Sequence, residues 1–443
     1  MPPQELEQAR LTTEELRDVW MVLSSDERLE AFRELPRVEA EDFFRTLPAH
    51  DVAELVLALP AEERRSWLRL VPPDDVADLI QQAPPEERDH LLGLLDEPTR
   101  REVAGLLAYR EDEAGGLMNP HYARLRPEMT VDEAISYLRK QARNQLDTLI
   151  YHVYVIDEQQ RLVGVVSLKQ LFAAKPDKVV RDVMRTDVVT VGEYLDQEEV
   201  GRVFARHNLL AIPVVDAEGR MKGLVTVDDI VDVVDEEATE DAQKFGGMEA
   251  LDAPYLKTGF ARMVRKRAGW LAALFLGEML TATAMAYFEV EIARAVVLAL
   301  FVPLIISSGG NSGSQASTLV IRAMALGEVK LRDWWRVIRR ELASGLVLGT
   351  VLGSIGFLRI FLWQQVSPIY GEHYLLVAFT VLVSLIGVVT FGTLAGSLLP
   401  FILRRLGFDP ASASAPFVAT LVDVTGLLIY FSVAAVVLRG TLL

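Results

Sequence analysis

Hydrophobic positions fall into three successive regimes along this chain of 443 residues. Up to about residue 112, apolar residues recur at spacings of three and four, as in Val52, Leu55 and Leu59, and proline falls at 36, 48, 60, 72 and 84. The block "AHDVAELVLAL" resembles "PDDVADLIQQA", and "AEERRSWLRLV" resembles "PEERDHLLGLL", so the repeating unit is a pair of blocks. Each block predicts one short helix started near its proline and acidic in its first turn. Stacked pairs of such helices predict a small α-solenoid over residues 1–112. The second regime carries another repeat, "VIDEQQRLVGVVSLKQL" from Val155 and "VVDAEGRMKGLVTVDDI" from Val214. Each copy predicts a strand, a charged turn, a strand and a helix start, giving two α+β domains over 113–176 and 177–234. A connecting helix is expected over 235–260. The third regime, 261–443, holds five apolar stretches, about 268–288, 295–320, 342–363, 374–403 and 415–438. Each is long enough for a bilayer, which takes roughly 20 apolar residues. The predicted fold is therefore multidomain: solenoid, tandem α+β pair, connecting helix and five-helix membrane domain.

Charge divides the chain at the same place. Residues 1–260 carry a net −23 and residues 261–443 a net +6, against −17 for the whole. So acidic a first half argues against nucleic acid, whose phosphates need Lys and Arg, and suits cations. There is no cysteine, which excludes disulfides and thiolate metal sites. The first 30 residues are charged throughout, so no cleaved signal peptide is expected. "RMVRKR" precedes the first span, Arg322, Lys330, Arg332, Arg336, Arg339 and Arg340 lie between the second and third, and Arg404 and Arg405 follow the fourth. The alternate loops hold a single Arg. Positive charge on the inner side then places the N-terminus in the cytoplasm and the C-terminus outside, in an inner or plasma membrane.

Only Glu278 and Asp423 are carboxylates well inside an expected span; Glu341 stands at an edge. A charge at the bilayer centre costs about 2.5–3.5 kcal/mol and marks function by default. Pro416, Ala419 and Thr420 share a helix face with Asp423. Pro416 is also expected to leave a carbonyl one turn upstream without its donor. Carboxylate, hydroxyl and carbonyl oxygens suit a hard cation such as Mg2+. "SSGGNSGSQAST", from Ser307, reads either as a tight helix contact or as a pore lining with Asn311, Ser314 and Gln315. From Asp228 to Asp241 the chain holds eight carboxylates and no basic residue, with Asp229, Asp232, Glu236 and Glu240 along one helical face. No nucleophile–base pair or P-loop appears, so an enzyme is not expected.

The two α+β copies resemble a tandem pair of CBS domains. That resemblance implies an ATP site at Thr226 and Asp229 of the second copy, where Gly223 completes the motif; the first copy has Gly164 and Ser167 but Gln170. With "EDEAGGLM", "GGNSGSQ" and "PFVATLVDVTGLL", the chain as a whole resembles the MgtE magnesium channel family. The resemblance implies a homodimer in the lipid bilayer with one pore, where Asp423 holds hydrated Mg2+ and Ala419 supplies a carbonyl. It also implies regulatory Mg2+ sites at Asp74, Asp78, Asp196, Glu198, Asp229, Asp232, Glu237, Glu240, Asp241 and Asp409. Two positions depart from the family pattern: Asn208 stands where an Asp is expected, and Ala415 where an Asn is. The expected function is Mg2+ uptake through a channel closed by cytoplasmic Mg2+, with other divalent cations as further cargo. A coupled transporter is the nearest alternative, without the inverted repeat such proteins carry. A membrane-bound sensor that moves nothing leaves Asp423 unexplained.

Overall fold

A computed structural model describes residues 12–144, 152–251, 255–256, 258–367 and 369–442. The chain forms two compact units, Met1–Asp235 and Glu236–Leu443.

The first unit opens with α1 (Thr13–Val19), α2 (Ser25–Glu34), α3 (Arg37–Arg45), α4 (Ala49–Ala58), α5 (Ala61–Leu68), α6 (Pro73–Gln82), α7 (Pro85–Leu94) and α8 (Glu97–Leu106). Pro36, Pro48, Pro60, Pro72 and Pro84 are the N-caps of α3 to α7. There a missing N–H breaks no helical bond, so each proline stops one helix and starts the next. Alternate helices α2, α4, α6 and α8 touch in sequence, as a solenoid of pairs requires. Phe32, Phe44 and Trp67 meet between them, with Trp67 ring centroids 4.9 and 5.0 Å from the two phenyl rings. Buried rings of this size each contribute about 1.5–3 kcal/mol.

After α9 (Ala114–Leu117) come two sheets of identical topology. One holds β1 (Arg124–Leu125), β2 (His152–Ile156) and β3 (Leu162–Ser167), with α10 (Val131–Asn144) between β1 and β2 and α11 (Leu168–Ala173) after β3. The other holds β4 (Val191–Gly192), β5 (Ala211–Val215) and β6 (Met221–Thr226), with α12 (Gln197–His207) and α13 (Val227–Phe245) in the matching places. In each the first pair of strands is parallel and the second antiparallel. Val200, Phe204, Ile212, Val214 and Ile230 of the second copy share one hydrophobic core with the solenoid, which sets α6 beside the start of α13.

The second unit contains the end of α13 and then α14 (Phe260–Tyr287), α15 (Glu289–Arg294), α16 (Val302–Ala325), α17 (Trp334–Val366), α18 (Tyr374–Arg405) and α19 (Ala415–Val437). Among the described residues, five helical segments are long and apolar enough to cross a membrane: Phe260–Tyr287, Val296–Ala325, Leu331–Val366, Tyr374–Arg405 and Ala415–Val437. The first starts eight residues before the apolar stretch does, so "RMVRKR" is helix rather than loop. The third likewise reaches back through Arg336, Arg339 and Arg340. Hydrophobicity marks where lipid begins, whereas hydrogen bonding decides where the helix does. Glycine fixes the crossings. Gly345, Gly349 and Gly353 lie one turn apart on α17, and a Cβ on Gly349 would stand 2.6 Å from Ile386 Cα. A Cβ on Gly313 would stand 2.9 Å from the Gly392 carbonyl. Small residues let backbones approach where lipid provides no hydrophobic drive.

Gly349→Leu must therefore push α17 off α18, and we expect a loss of ~1–3 kcal/mol or more, read as a lower temperature at which the detergent-solubilised chain aggregates. Gly105→Ala, in open space on α8, serves as the control and leaves that temperature unchanged or slightly raised.

Candidate functional site

Three groups of carboxylates stand out. The first lies on α19. Ser414 caps this helix by accepting from Phe417 N (3.4 Å), and Pro416 sits in the first turn. This corrects the expectation of a freed carbonyl one turn before Pro416, because that position precedes the helix and no helical bond is lost. Nearby carbonyls are in fact occupied: Ser317 Oγ donates to Ala413 O (2.9 Å), Ser314 Oγ to Ala415 O (3.3 Å) and Thr420 Oγ1 to Pro416 O (3.0 Å). Glycines on the neighbouring helices face the two residues that precede Asp423 on its side of α19. A Cβ on Gly310 of α16 would lie 3.4 Å from Ala419 Cβ, and one on Gly277 of α14 would lie 2.9 Å from Thr420 Cγ2. Asp423 follows one turn later, half-buried. The α16 glycine stretch makes the tight helix contact that one reading of it expects. Gly309 and Gly313 are buried against Val388, Val418 and Val422, while Asn311 and Gln315 are exposed on another side and Ser314 is half-buried.

The second group lies in the first unit. It brings Asp74 and Asp78 of α6 near Asp229 and Asp232 of α13. Asp74 is buried and accepts from Asn119 Nδ2 at 3.1 Å. Burial, then the charges of Asp75, Asp229 and Asp78, push its carboxyl well above the ordinary range. Burial likewise lifts Asp229 to about 7, against the hydrogen bonds from Thr226 that lower it. Asp232 is raised by burial and by Asp235 and Asp228. Asp75 is lifted to about 6 by burial and by Asp228 and Asp232. The sequence reading passed over Asp75, although its place beside Asp74 in "PPDD" was the signal. Asp75 and Asp228 line a cavity of about 240 Å³ whose other walls are mainly apolar, among them Phe44, Val52 and Val71.

The third group lies in the second unit, where the end of α13 meets the loop before α19. Lys244 Nζ donates to Asp409 Oδ2 at 2.7 Å and also pairs with Glu240. Asp241 is held up by burial and by the charges of Asp409 and Glu237. Phe245 packs on Ile321, Ala411 and Ala413, and Trp270 Nε1 donates to Ser414 Oγ at 3.2 Å.

Other expected residues have local partners instead. Asp196 caps α12 by accepting from Glu198 N (2.9 Å), and Glu198 pairs with Arg202. Asn208 closes α12 in the left-handed region at φ +50°, a conformation that Asn adopts more readily than most residues. Thr226 Oγ1 donates to Asp229 Oδ2 (2.7 Å), as Ser167 Oγ does to Gln170 Oε1 (3.0 Å) in the first copy. Ser167 caps α11 in this way, and Thr226 makes the matching bond at the start of α13. His50, Asp51 and Glu54 are close enough together to hold an ion. Buried Arg28 already bridges the two carboxylates at 3.0 Å each and supplies the positive charge there.

Comparison with known proteins gives the following. Residues 302–433 match a family described as a divalent cation transporter, 11–112 the MgtE intracellular N domain, and 114–177 and 180–236 the CBS domain. The chain is 45% identical over 350 residues to the magnesium transporter MgtE of Thermus thermophilus, covering 79% of this chain and 75% of the relative. To the Enterococcus faecalis magnesium transporter MgtE it is 35% identical over 338 residues, covering 76% and 72%. Among solved structures, the cytosolic domain of the Mg2+ channel MgtE in complex with ATP aligns at 40% identity and a TM-score of 0.46, covering 50% of this chain and 90% of that one.

The raised carboxyls between α6 and α13 predict a pH dependence with a definite sign. A carboxyl raised by folding favours the folded contact when protonated, and that contribution is lost as pH rises through about 6 and 7. In chelator, the first thermal transition should therefore fall between about pH 5 and about pH 8. Millimolar Mg2+ should restore it at the higher pH and do little at the lower, where protons hold the ligands. A metal-free transition indifferent to pH would overturn this account.

Proposed function

This chain belongs to the MgtE family of magnesium transporters, multi-pass membrane proteins rather than enzymes, and on that footing we propose that it is a homodimeric, Mg2+-selective channel closed by cytoplasmic Mg2+. The observation that carries the reading is Asp423. It is an intramembrane carboxylate one turn from Ala419 and Thr420, flanked by two helices that approach through glycine. Mg2+ sheds water reluctantly, so the carboxylate holds the ion through its water shell, with Asn311, Ser314 and Gln315 offering polar groups along the way. Two copies of the chain give two such carboxylates around one path. The membrane potential drives the ion inward, at about 2.3 kcal/mol per charge per 100 mV. The N-terminus is assigned to the cytoplasm and the C-terminus to the outside, and the domain boundaries to 112, 176, 234 and 260.

Closure is assigned to the acidic groups. Asp74, Asp78, Asp229 and Asp232 crowd charge that an ion between them relieves. Glu237, Glu240, Asp241 and Asp409 do so at the end of α13, and Asp196 and Glu198 contribute at the start of α12. Several weak sites summed in this way shift an open–closed equilibrium steeply. ATP is assigned to the second CBS copy, where the ribose takes Thr226 and Asp229 once their mutual bonds open; Thr226→Ala should weaken ATP binding by titration calorimetry.

The test is Mg2+ uptake into liposomes holding the purified chain. Asp423→Asn should abolish it while the protein elutes as wild type does; wild-type uptake by that variant would overturn the pore assignment. With Asp229, Asp232, Glu237 and Asp241 neutralised together, currents should persist at internal Mg2+ that closes the wild type. An unchanged Mg2+ dependence would reduce the acidic run to a solvated surface.

A further inference from the structure

Glu278 and Asp423 are the two carboxylates that lie well inside the apolar stretches of the chain. Three contacts fix the height of Glu278 relative to Asp423. The rings of Trp270 and Phe417 lie 6.4 Å apart, Gly277 faces Thr420, and Phe288 stacks on Phe431 at 4.9 Å. Both series of numbers ascend, so α14 and α19 run parallel. Glu278 is one residue past Gly277 and Asp423 three past Thr420. At 1.5 Å per residue, the two carboxylates therefore stand within about 3 Å of the same level along the helix axes. α14 and α19 pack directly against each other, so the two carboxylates stand on adjacent helices. Among the described residues neither makes a hydrogen bond or an ion pair. One turn beyond Glu278, the hydroxyl of Thr281 is buried without a hydrogen-bond partner.

Glu278 is exposed on the single chain. Facing hydrocarbon, an ionised carboxylate would cost about 2.5–3.5 kcal/mol, so its place is in water or against protein. We propose that Glu278 faces the ion path and acts with Asp423 as a second carboxylate that sets the preference for divalent over monovalent cations. The proposal rests on the pore reading of Asp423 and deepens it. Two like charges at one level repel each other, and a hydrated divalent ion relieves that repulsion with twice the charge of a monovalent one. A dimer then presents four carboxylates at one depth.

The experiment uses the full chain in liposomes, with Mg2+ as the probe ion and Na+ as the competitor. For Glu278→Gln we expect the half-saturating Mg2+ concentration to rise about fivefold or more, and Na+ to block uptake more readily. Glu278→Asp should restore most of both, which a purely structural role would not do. Wild-type half-saturation and Na+ sensitivity in Glu278→Gln, with uptake still abolished by Asp423→Asn, would overturn this proposal and leave the pore reading intact. Wild-type uptake by Asp423→Asn would overturn both. Equal losses in Glu278→Gln and Glu278→Asp, at normal expression and elution, would show a shape requirement and overturn the charge role.

Discussion

Negative charges repel one another more strongly as water is withdrawn from around them. This chain withdraws water from carboxylates in three places: between α6 and α13, at the end of α13, and beside Asp423 on α19. Two routes out of the conflict are open within the chain. Protonation is one, and burial favours it at Asp74, Asp75 and Asp229. A side-chain cation is the other, as Lys244 provides for Glu240 and Asp409. A divalent ion is a third route, and the only one that reports on the supply of the transported substance itself. The proposed gate and the proposed pore thus use one chemistry at different depths. In that proposal, weak sites outside the bilayer sense the ion and a carboxylate within it conducts the ion.

What was legible in the sequence was what short-range physics decides. Proline at a fixed spacing cannot lie inside a helix, so it marks helix starts without any knowledge of packing. Five long apolar runs can hardly be anything but spans. The duplicated strand–turn–strand pattern repeats because its fold does. Asp423 was conspicuous because its surroundings are uniformly apolar. What was not legible depends on partners distant in the chain. Asp75 looked like one more acid in a helix start until α13 came up beside it. Lys244 read only as the end of an acidic run, because its partner Asp409 lies 165 residues further on. The glycine stretch of α16 was left between two readings, since composition does not say which side of a helix faces a neighbour; the glycines took the packed side and Asn311 and Gln315 another. Pro416 misled for a related reason, as its effect depends on where the helix begins.

The glycine seams bear on how such a protein works. At Gly349 of α17 the backbone meets the Ile386 backbone of α18 directly, which leaves little room for the two helices to slide. α14 is different: its membrane segment is mostly exposed in the single chain and meets α19 through side chains at Trp270 and Phe288 and through one glycine between them. In the proposed pore, movement beside Asp423 is assigned to α14 rather than to the seam of α17 and α18.

The ammonium of Lys244 has a consequence that no free ion shares. It is tethered to the helix it latches, so its effective concentration at Asp409 does not follow the composition of the surrounding solution. Any dissolved cation that seeks Asp409 competes with a ligand that cannot be diluted away. In the proposed gate the latch sets an offset, a fixed bias to which the cell's ionic supply is added, and the length of one lysine side chain becomes part of the calibration of the response.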